Sequence, residues 1–368
     1  MGDRLRTAAV LSLSDPAGLN SGGAVRVRAM AGALSDVMDV RIVAPPTPPA
    51  SGAEPDRPAG VRDELLDRLH EVKRRFVPMP TLFGAKNPAM SDELDSYAPD
   101  LVVAGVLSQA PYGRFAAKTF WLDFMDLWSD FGAREAASRT GLARVTARSQ
   151  AKLLVHQEKR LCATADIVTA AGWADCEELR RRGVDATWLP TTCPDHLFQR
   201  RTHGPRTRTA GLLGNFSYWP NRAAYRKAVE EWLPALRAQG WQLLVAGAAS
   251  DELGPPPEGV EILGEVADLS DYYGRIDMSL APVDLGGGIK VKVLESFVHG
   301  IPVLGTRFAF EGFAPEIREL GVVWDDGDVP KLELDDLPDV DPTAEMFTIF
   351  RDSYLRDWVH SNVVSASP

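Results

Sequence analysis

The sequence predicts an α/β protein of two Rossmann-like, doubly wound domains that face each other across a cleft. Three observations carry this. Short runs that are apolar on both faces, such as LVVAGVL at Leu101–Leu107, alternate with amphipathic stretches along the chain, as buried parallel strands alternate with crossover helices. The rhythm breaks at the Pro-, Thr- and Arg-rich segment Pro190–Arg208 and then restarts. The length of 368 residues suits two domains at about 150 residues each.

In order, Ala8–Leu13 predicts a strand, Val25–Leu34 a helix, and Val40–Ala44 a second strand. Leu101–Leu107, Phe120–Phe124 and Ile167–Ala170 predict further strands with helices between them. The segment Pro45–Pro58 holds six prolines and little apolar content, which predicts a solvated surface insertion. After the break come strand Ala210–Gly214, a helix over Asn221–Ala238 with Asn221 as its cap, and strands Gln242–Ala246, Val260–Leu263 and Met278–Ala281. The helix Lys290–His299 and strands Pro302–Gly305 and Val322–Trp324 follow. Phe347, Phe350, Tyr354, Leu355 and Trp358 recur at helical spacing within Ala344–His360, predicting one C-terminal helix that packs across a domain surface. The expected division is residues 1–195, a linker at 196–208, residues 209–342, and a C-terminal helix in 343–368 crossing back to the first domain.

Acidic residues (51) exceed basic ones (40), for a net charge of −11. This disfavours a broad nucleic-acid or anionic-membrane surface but leaves room for a local cationic pocket for a phosphorylated ligand. No run approaches the ~18 apolar residues of a spanning helix, and the N-terminal residues read as a strand rather than a secretory leader. Three cysteines (Cys162, Cys176, Cys193) give neither a disulfide framework nor a paired metal motif. The expectation is a cytoplasmic protein without a resident metal or cofactor.

The most informative segment is LAPVDLGGGIKVKVLESFVHGIP, Leu280–Pro302. A strand runs into Gly286, Gly287 and Gly288 and then a helix, where unpaired N–H groups and the helix dipole favour an anion. Lys290 and Lys292 lie in the first turn, where the dipole disfavours cations, so a bound diphosphate would account for them. Glu295 lies near the same face as Lys292 and suits a ribose diol. An ordinary i,i+3 surface pair is the competing reading. Asp123 and Asp126, in LDFMD at a strand end, either orient an acceptor hydroxyl or cap the next loop. WDDGD (Asp325, Asp326, Asp328) reads as a solvated turn. The spacing at Gly18–Gly23 is not that of a dinucleotide fingerprint, so NAD is not expected.

GGGIKVKVLESFVHGIPVLGT resembles the donor segment of family-4 retaining glycosyltransferases of the GT-B fold, in the branch with a GGGxxxKxLE motif. GLLGNFSYWPN, GVEILGEVADLSDYYGRIDMSLAPV, FWLDFMDLWSD and HQEKRLCATADIVTAAG resemble the family's other landmarks in the same order. The resemblance spans roughly residues 5–315. It implies a metal-independent transfer of a sugar from a UDP- or GDP-linked donor to an acceptor hydroxyl. Lys292 would face the donor phosphates and Glu295 the ribose. Gly22, Gly23, Gly214, Phe216, Trp219, Val266, Gly286, Gly287, Gly288, Ile289 and Lys290 would line the donor. Asn20, Arg26 and Asp126 would meet the acceptor, with Asp123 and Asp126 beside Lys292 in catalysis. Gly287 stands where the family carries its first Glu, and Phe216–Trp219 stand where it carries an Arg and a Lys. A nucleotide-sugar epimerase or hydrolase on the same fold, or a non-catalytic partner subunit, are the competing functions.

Overall fold

The structure, a computed structural model, describes residues 6–13, 22–45, 87–200, 206–284, 287–325 and 330–364. The first sheet is built from strands β1 (Thr7–Leu11), β2 (Asp39–Val43), β3 (Leu101–Ala104), β4 (Thr119–Phe124), β5 (Ile167–Ala170) and β6 (Thr187–Trp188). They are parallel, in the order β2-β1-β3-β4-β5-β6. The second sheet holds β7 (Thr209–Leu213), β8 (Gln242–Ala246), β9 (Val260–Ile262), β10 (Met278–Ala281), β11 (Val303–Gly305) and β12 (Gly321–Val323). Its order is β12-β11-β10-β7-β8-β9, again parallel. Helices α1 (Gly22–Ser35), α2 (Pro88–Tyr97), α3 (Trp128–Ser138), α4 (Gly141–Cys162) and α5 (Trp173–Arg181) belong to the first domain. Helices α6 (Trp219–Lys227), α7 (Leu233–Ala238) and α8 (Val291–Val298) belong to the second, and α9 (Asp352–Val359) ends the fold. The two parallel sheets bear out the doubly wound α/β prediction.

Two elements depart from their sequence reading. The helix expected over 221–238 starts at Trp219 and loosens into a π-turn at Ala228–Trp232 before α7. Pro234 has no N–H to give and crowds the preceding turn, which the wider π-turn accommodates. The C-terminal helix is also interrupted. A 3₁₀ segment, Glu345–Phe350, ends at Arg351, whose extended backbone bridges to Cys193 before α9 begins. Phe347 and Phe350 sink into a core with Phe297 and Phe313 of the second domain, whereas Leu355 and Val359 pack with Val27, Met30 and Leu34 of α1. Trp358 lies 5.2 Å from Trp121. Burying a Phe or Leu side chain is worth about 1.5–3 kcal/mol, so this segment ties the domains together from behind the cleft.

A charged pair lies inside the first domain. Arg26 of α1 donates to both oxygens of Asp123 on β4, at 2.7 and 2.6 Å, and to the Leu189 carbonyl at 2.7 Å. Thr169 donates to Asp123 at 2.6 Å, and Asp123 is wholly buried. Breaking such a pair from one side leaves an uncompensated charge, costing about 3–5 kcal/mol. Asp123→Asn should lower the stability of the first domain by that amount in urea unfolding while leaving the unfolding of the second domain unchanged. A cost under 1 kcal/mol would contradict the role of this pair.

Candidate active site

The order of the second sheet sets β7 beside β10, with the chain leaving them in opposite directions. Their loops therefore part at the carboxyl ends and leave a crevice. The loop after β7 carries Gly214–Tyr218 into α6, and the loop after β10 carries Gly287–Lys290 into α8. Lys292 spans the two: its Nζ donates to Asn221 Oδ1 at 2.8 Å, and Asn221 Nδ2 donates to the Asn215 carbonyl at 2.8 Å. Gly214 leaves room for this link, because a Cβ there would lie 3.2 Å from Asn221 Cγ.

The first domain meets this crevice through backbone. A Cβ on Gly288 would fall 2.0 Å from the Met125 carbonyl oxygen, and one on Gly287 would fall 2.4 Å from Asp126 Oδ1. Gly288 also holds φ +53°, a left-handed conformation that costs other residues about 1–2 kcal/mol. A Cβ on Gly22 would lie 3.1 Å from Val291 Cγ2. Gly22 opens α1 and Val291 opens α8, so two helix N-termini meet at one point, each presenting amides without intrahelical partners. Around this seam Trp173 and Ala174 donate backbone hydrogen bonds to the carbonyls of Gly312 and Glu311 at 2.8 and 3.3 Å. Arg134 of α3 pairs with Glu311 at 2.9 Å.

The charges here are strongly perturbed. Burial raises the Glu295 carboxyl to about 7 against the opposing pull of Lys292. Burial lowers Lys292 to about 8. Glu295 has no hydrogen-bond partner among the described residues, so its carboxylate is held ready in a poorly solvated place. Across the seam, burial raises Asp126, and burial with the nearby Asp126 charge raises Asp175 to about 7. Asp175 Oδ2 is buried without a partner. Tyr218 and Trp219 stand more than half exposed beside them, with the Tyr218 hydroxyl raised by burial and by the charge of Asp126.

Lys292, Glu295, Gly22, Gly23, Gly214, Trp219, Gly287, Gly288 and Asp126 thus gather around one seam. Several expectations are corrected. Asp123 and Arg26 satisfy each other inside the first domain and do not reach the cleft, because the strand-end position of Asp123 points its side chain under α1. Phe216 is buried edge-on against Tyr225, with centroids 6.2 Å apart, so it is core rather than donor lining. Ile289 packs with Val293 and Phe313, leaving only its backbone to the loop. Lys290 is not free to meet a phosphate. Its ammonium donates to the carbonyls of Gly287 and Gly288 at 2.8 and 3.2 Å and lies 4.2 Å over the Phe308 ring, bracing the loop. Burial lowers it to about 8. Asn221 is not the helix cap, which is Tyr218; its side chain turns back to hold Lys292. Val266 is half-buried against the Tyr272–Tyr273 cluster. Asp325 accepts from the Arg307 amide at 2.7 Å, as a turn residue does. Asn20, Gly286, Asp326, Asp328 and most of the proline-rich segment lie outside the described residues.

Sequence reasoning missed Asp175. Its signal is visible in retrospect: it follows β5 directly in the first turn of α5, at the carboxyl edge of the sheet, where functional groups collect. Among the described residues, no group of three or more His, Cys, Asp or Glu side chains is placed to hold a metal ion, and no helix is long and apolar enough to cross a membrane.

Two facing Rossmann-like domains with loops meeting at their carboxyl edges define the GT-B class of protein. Residues 207–333 match the family described as Glycosyl transferases group 1, and the protein is a glycosyltransferase. Among solved structures, Anabaena HepE, crystallised with UDP and glucose, superposes with a TM-score of 0.60 at 13% identity, covering 98% of this chain and 100% of that one. A glycosyltransferase from Rickettsia africae gives 0.55 at 12% identity, covering 96% of each chain. WaaG, a glycosyltransferase involved in lipopolysaccharide biosynthesis, gives 0.51 at 14% identity, covering 98% and 97%. No curated protein sequence matches the chain.

Proposed function

We propose that the protein is a retaining, metal-independent glycosyltransferase that moves a sugar from a UDP- or GDP-linked donor to an acceptor hydroxyl. The observation that carries this is the meeting of the α1 and α8 N-termini beside Lys292 and the unpartnered Glu295. Breaking the sugar–phosphate bond leaves negative charge on the departing diphosphate. Helix-start amides and the Lys292 ammonium lie where they can meet that charge without rearranging. Glu295 accepts hydrogen bonds from the ribose diol, and Trp219 offers a face to the base. HepE has been crystallised with UDP-glucose, which supports a nucleotide-sugar donor for this fold. Asp126 faces the glycine loop from the acceptor side and orients the attacking hydroxyl. In front-face transfer the leaving phosphate oxygen takes the hydroxyl proton, so no side-chain nucleophile is needed.

Nucleotide affinity tests this reading. A ligand at a hundred times its Kd stabilises the fold by about 2.7 kcal/mol, so a thermal-shift panel of nucleoside diphosphates should single out one base. The pH dependence is set by the two perturbed groups. Glu295 becomes a full acceptor only as pH rises through about 7, and Lys292 loses its charge as pH rises through about 8. Affinity should peak between those values and fall on both sides. Glu295→Gln should flatten the acid limb. A profile flat from pH 6 to 9, or a panel without a hit, would overturn the assignment. Donor consumption without any acceptor product would instead favour the hydrolase or epimerase reading.

A further inference from the structure

We propose that the exposed face of α4 docks the protein on an anionic lipid bilayer. The net charge of −11 conceals a sharp segregation on this helix. Arg144, Arg148, Lys152, Lys159 and Arg160 are all exposed. The one acidic residue of α4, Glu158, is fully buried, accepting from Arg182 at 2.6 Å and from the Ser129 amide at 2.8 Å. The solvent side of α4 therefore carries cations and no anion.

Large apolar side chains stand among those cations. Leu142 is 84% exposed, Val145 60% and Leu153 45%. At 100° per residue these three fall on one face, opposite the buried Ala147, Ala151, Leu154 and Glu158, with Arg148, Lys152 and Lys159 along its flank. Exposed Leu and Val side chains flanked by basic residues on a helix lying along the surface match the interface of a bilayer. There the apolar side chains enter the acyl boundary and the cations meet anionic headgroups. Opposite charge and apolar anchors select this occupant over a soluble acidic partner, which would satisfy the cations and leave Leu142 and Val145 in water. The location has a consequence for the cleft. α4 packs on α3, where a Cβ on Gly132 would touch Ala151 at 3.6 Å, and α3 begins two residues after Asp126. A surface held by α4 therefore lies on the helical hairpin that borders the acceptor side.

Vesicle flotation of the full chain, without nucleotide, tests this independently of the transfer reaction. The protein should float with vesicles of phosphatidylcholine containing phosphatidylglycerol, and not with phosphatidylcholine alone. Bound fraction should fall in high salt, as screening shortens the reach of surface charge. The double variant Leu142→Glu/Val145→Glu and the separate variant Arg148→Gln/Lys152→Gln/Lys159→Gln should each weaken the vesicle partition at least tenfold, with the thermal unfolding midpoint unchanged as the folding control. Wild-type protein that stays unbound to both vesicle types, or variants that float like wild type, would overturn the proposal. So would a wild-type dimer that binds no vesicles and dissociates in the Leu142→Glu/Val145→Glu variant, which would assign the face to a second copy.

Discussion

Lys292→Ala is expected to lower turnover at saturating donor by about a hundredfold or more, the scale of losing one preorganised donor to a developing anion. The expectation follows from position. Lys292 is the cation of the β10–α8 segment whose ammonium faces the parting of β7 and β10, since Lys290 is committed to the carbonyls of Gly287 and Gly288. Asn221 holds Lys292 at 2.8 Å, so the ammonium is already aimed at the crevice. Asn221→Ala should reproduce part of the loss through poorer aim, with a smaller effect on turnover than removing the charge. Steady-state kinetics on both variants checks this. Turnover within threefold of wild type in Lys292→Ala would remove the residue from the mechanism.

Gly288→Ala should be comparably damaging by a different route. The added methyl would fall 2.0 Å from the Met125 carbonyl oxygen, and backbone cannot swing aside as a side chain can. The domains would be wedged apart, so turnover should drop by about a hundredfold while the second domain keeps nucleotide affinity within tenfold. Gly287→Ala should be damaging as well, because its new methyl would fall 2.4 Å from Asp126 Oδ1 and 2.6 Å from Asp126 Cβ, and side-chain rotation moves the carboxylate but not the Cβ. Turnover measured beside nucleotide Kd separates closure from binding. Wild-type turnover in Gly288→Ala would show that this seam is not the reacting arrangement.

The glycine loop illustrates how far the sequence can be read. Glycines before a helix are legible as a place where something approaches closely. The sequence suggests a diphosphate there. In the structure Gly287 and Gly288 make room for Met125 and Asp126 of the other domain, and the helix start beside them is what remains for an anion. Lys290 and Lys292 look equivalent in the string of residues, two apart at a helix start. One side chain folds back as a brace and the other reaches Asn221, a division decided by the direction each leaves the first turn. Asp123 and Asp126 divide in the same way. The first points under α1 to Arg26, and the second stands past the strand end, against the loop of the other domain.

Composition, the alternation of apolar runs and the break near residue 200 were enough to establish the two parallel-sheet domains and to single out Gly286–Glu295. These depend on local periodicity and on which side chains avoid water, and both are written in order along the chain. Which charges are spent inside the protein and which are left for a ligand was decided only by the tertiary structure. Asp175, Asp126 and the glycine loop are far apart in sequence and come together at the seam. Burial, and hence the protonation of Glu295, Asp175 and Lys292, depends on everything packed around a group rather than on its neighbours in the chain.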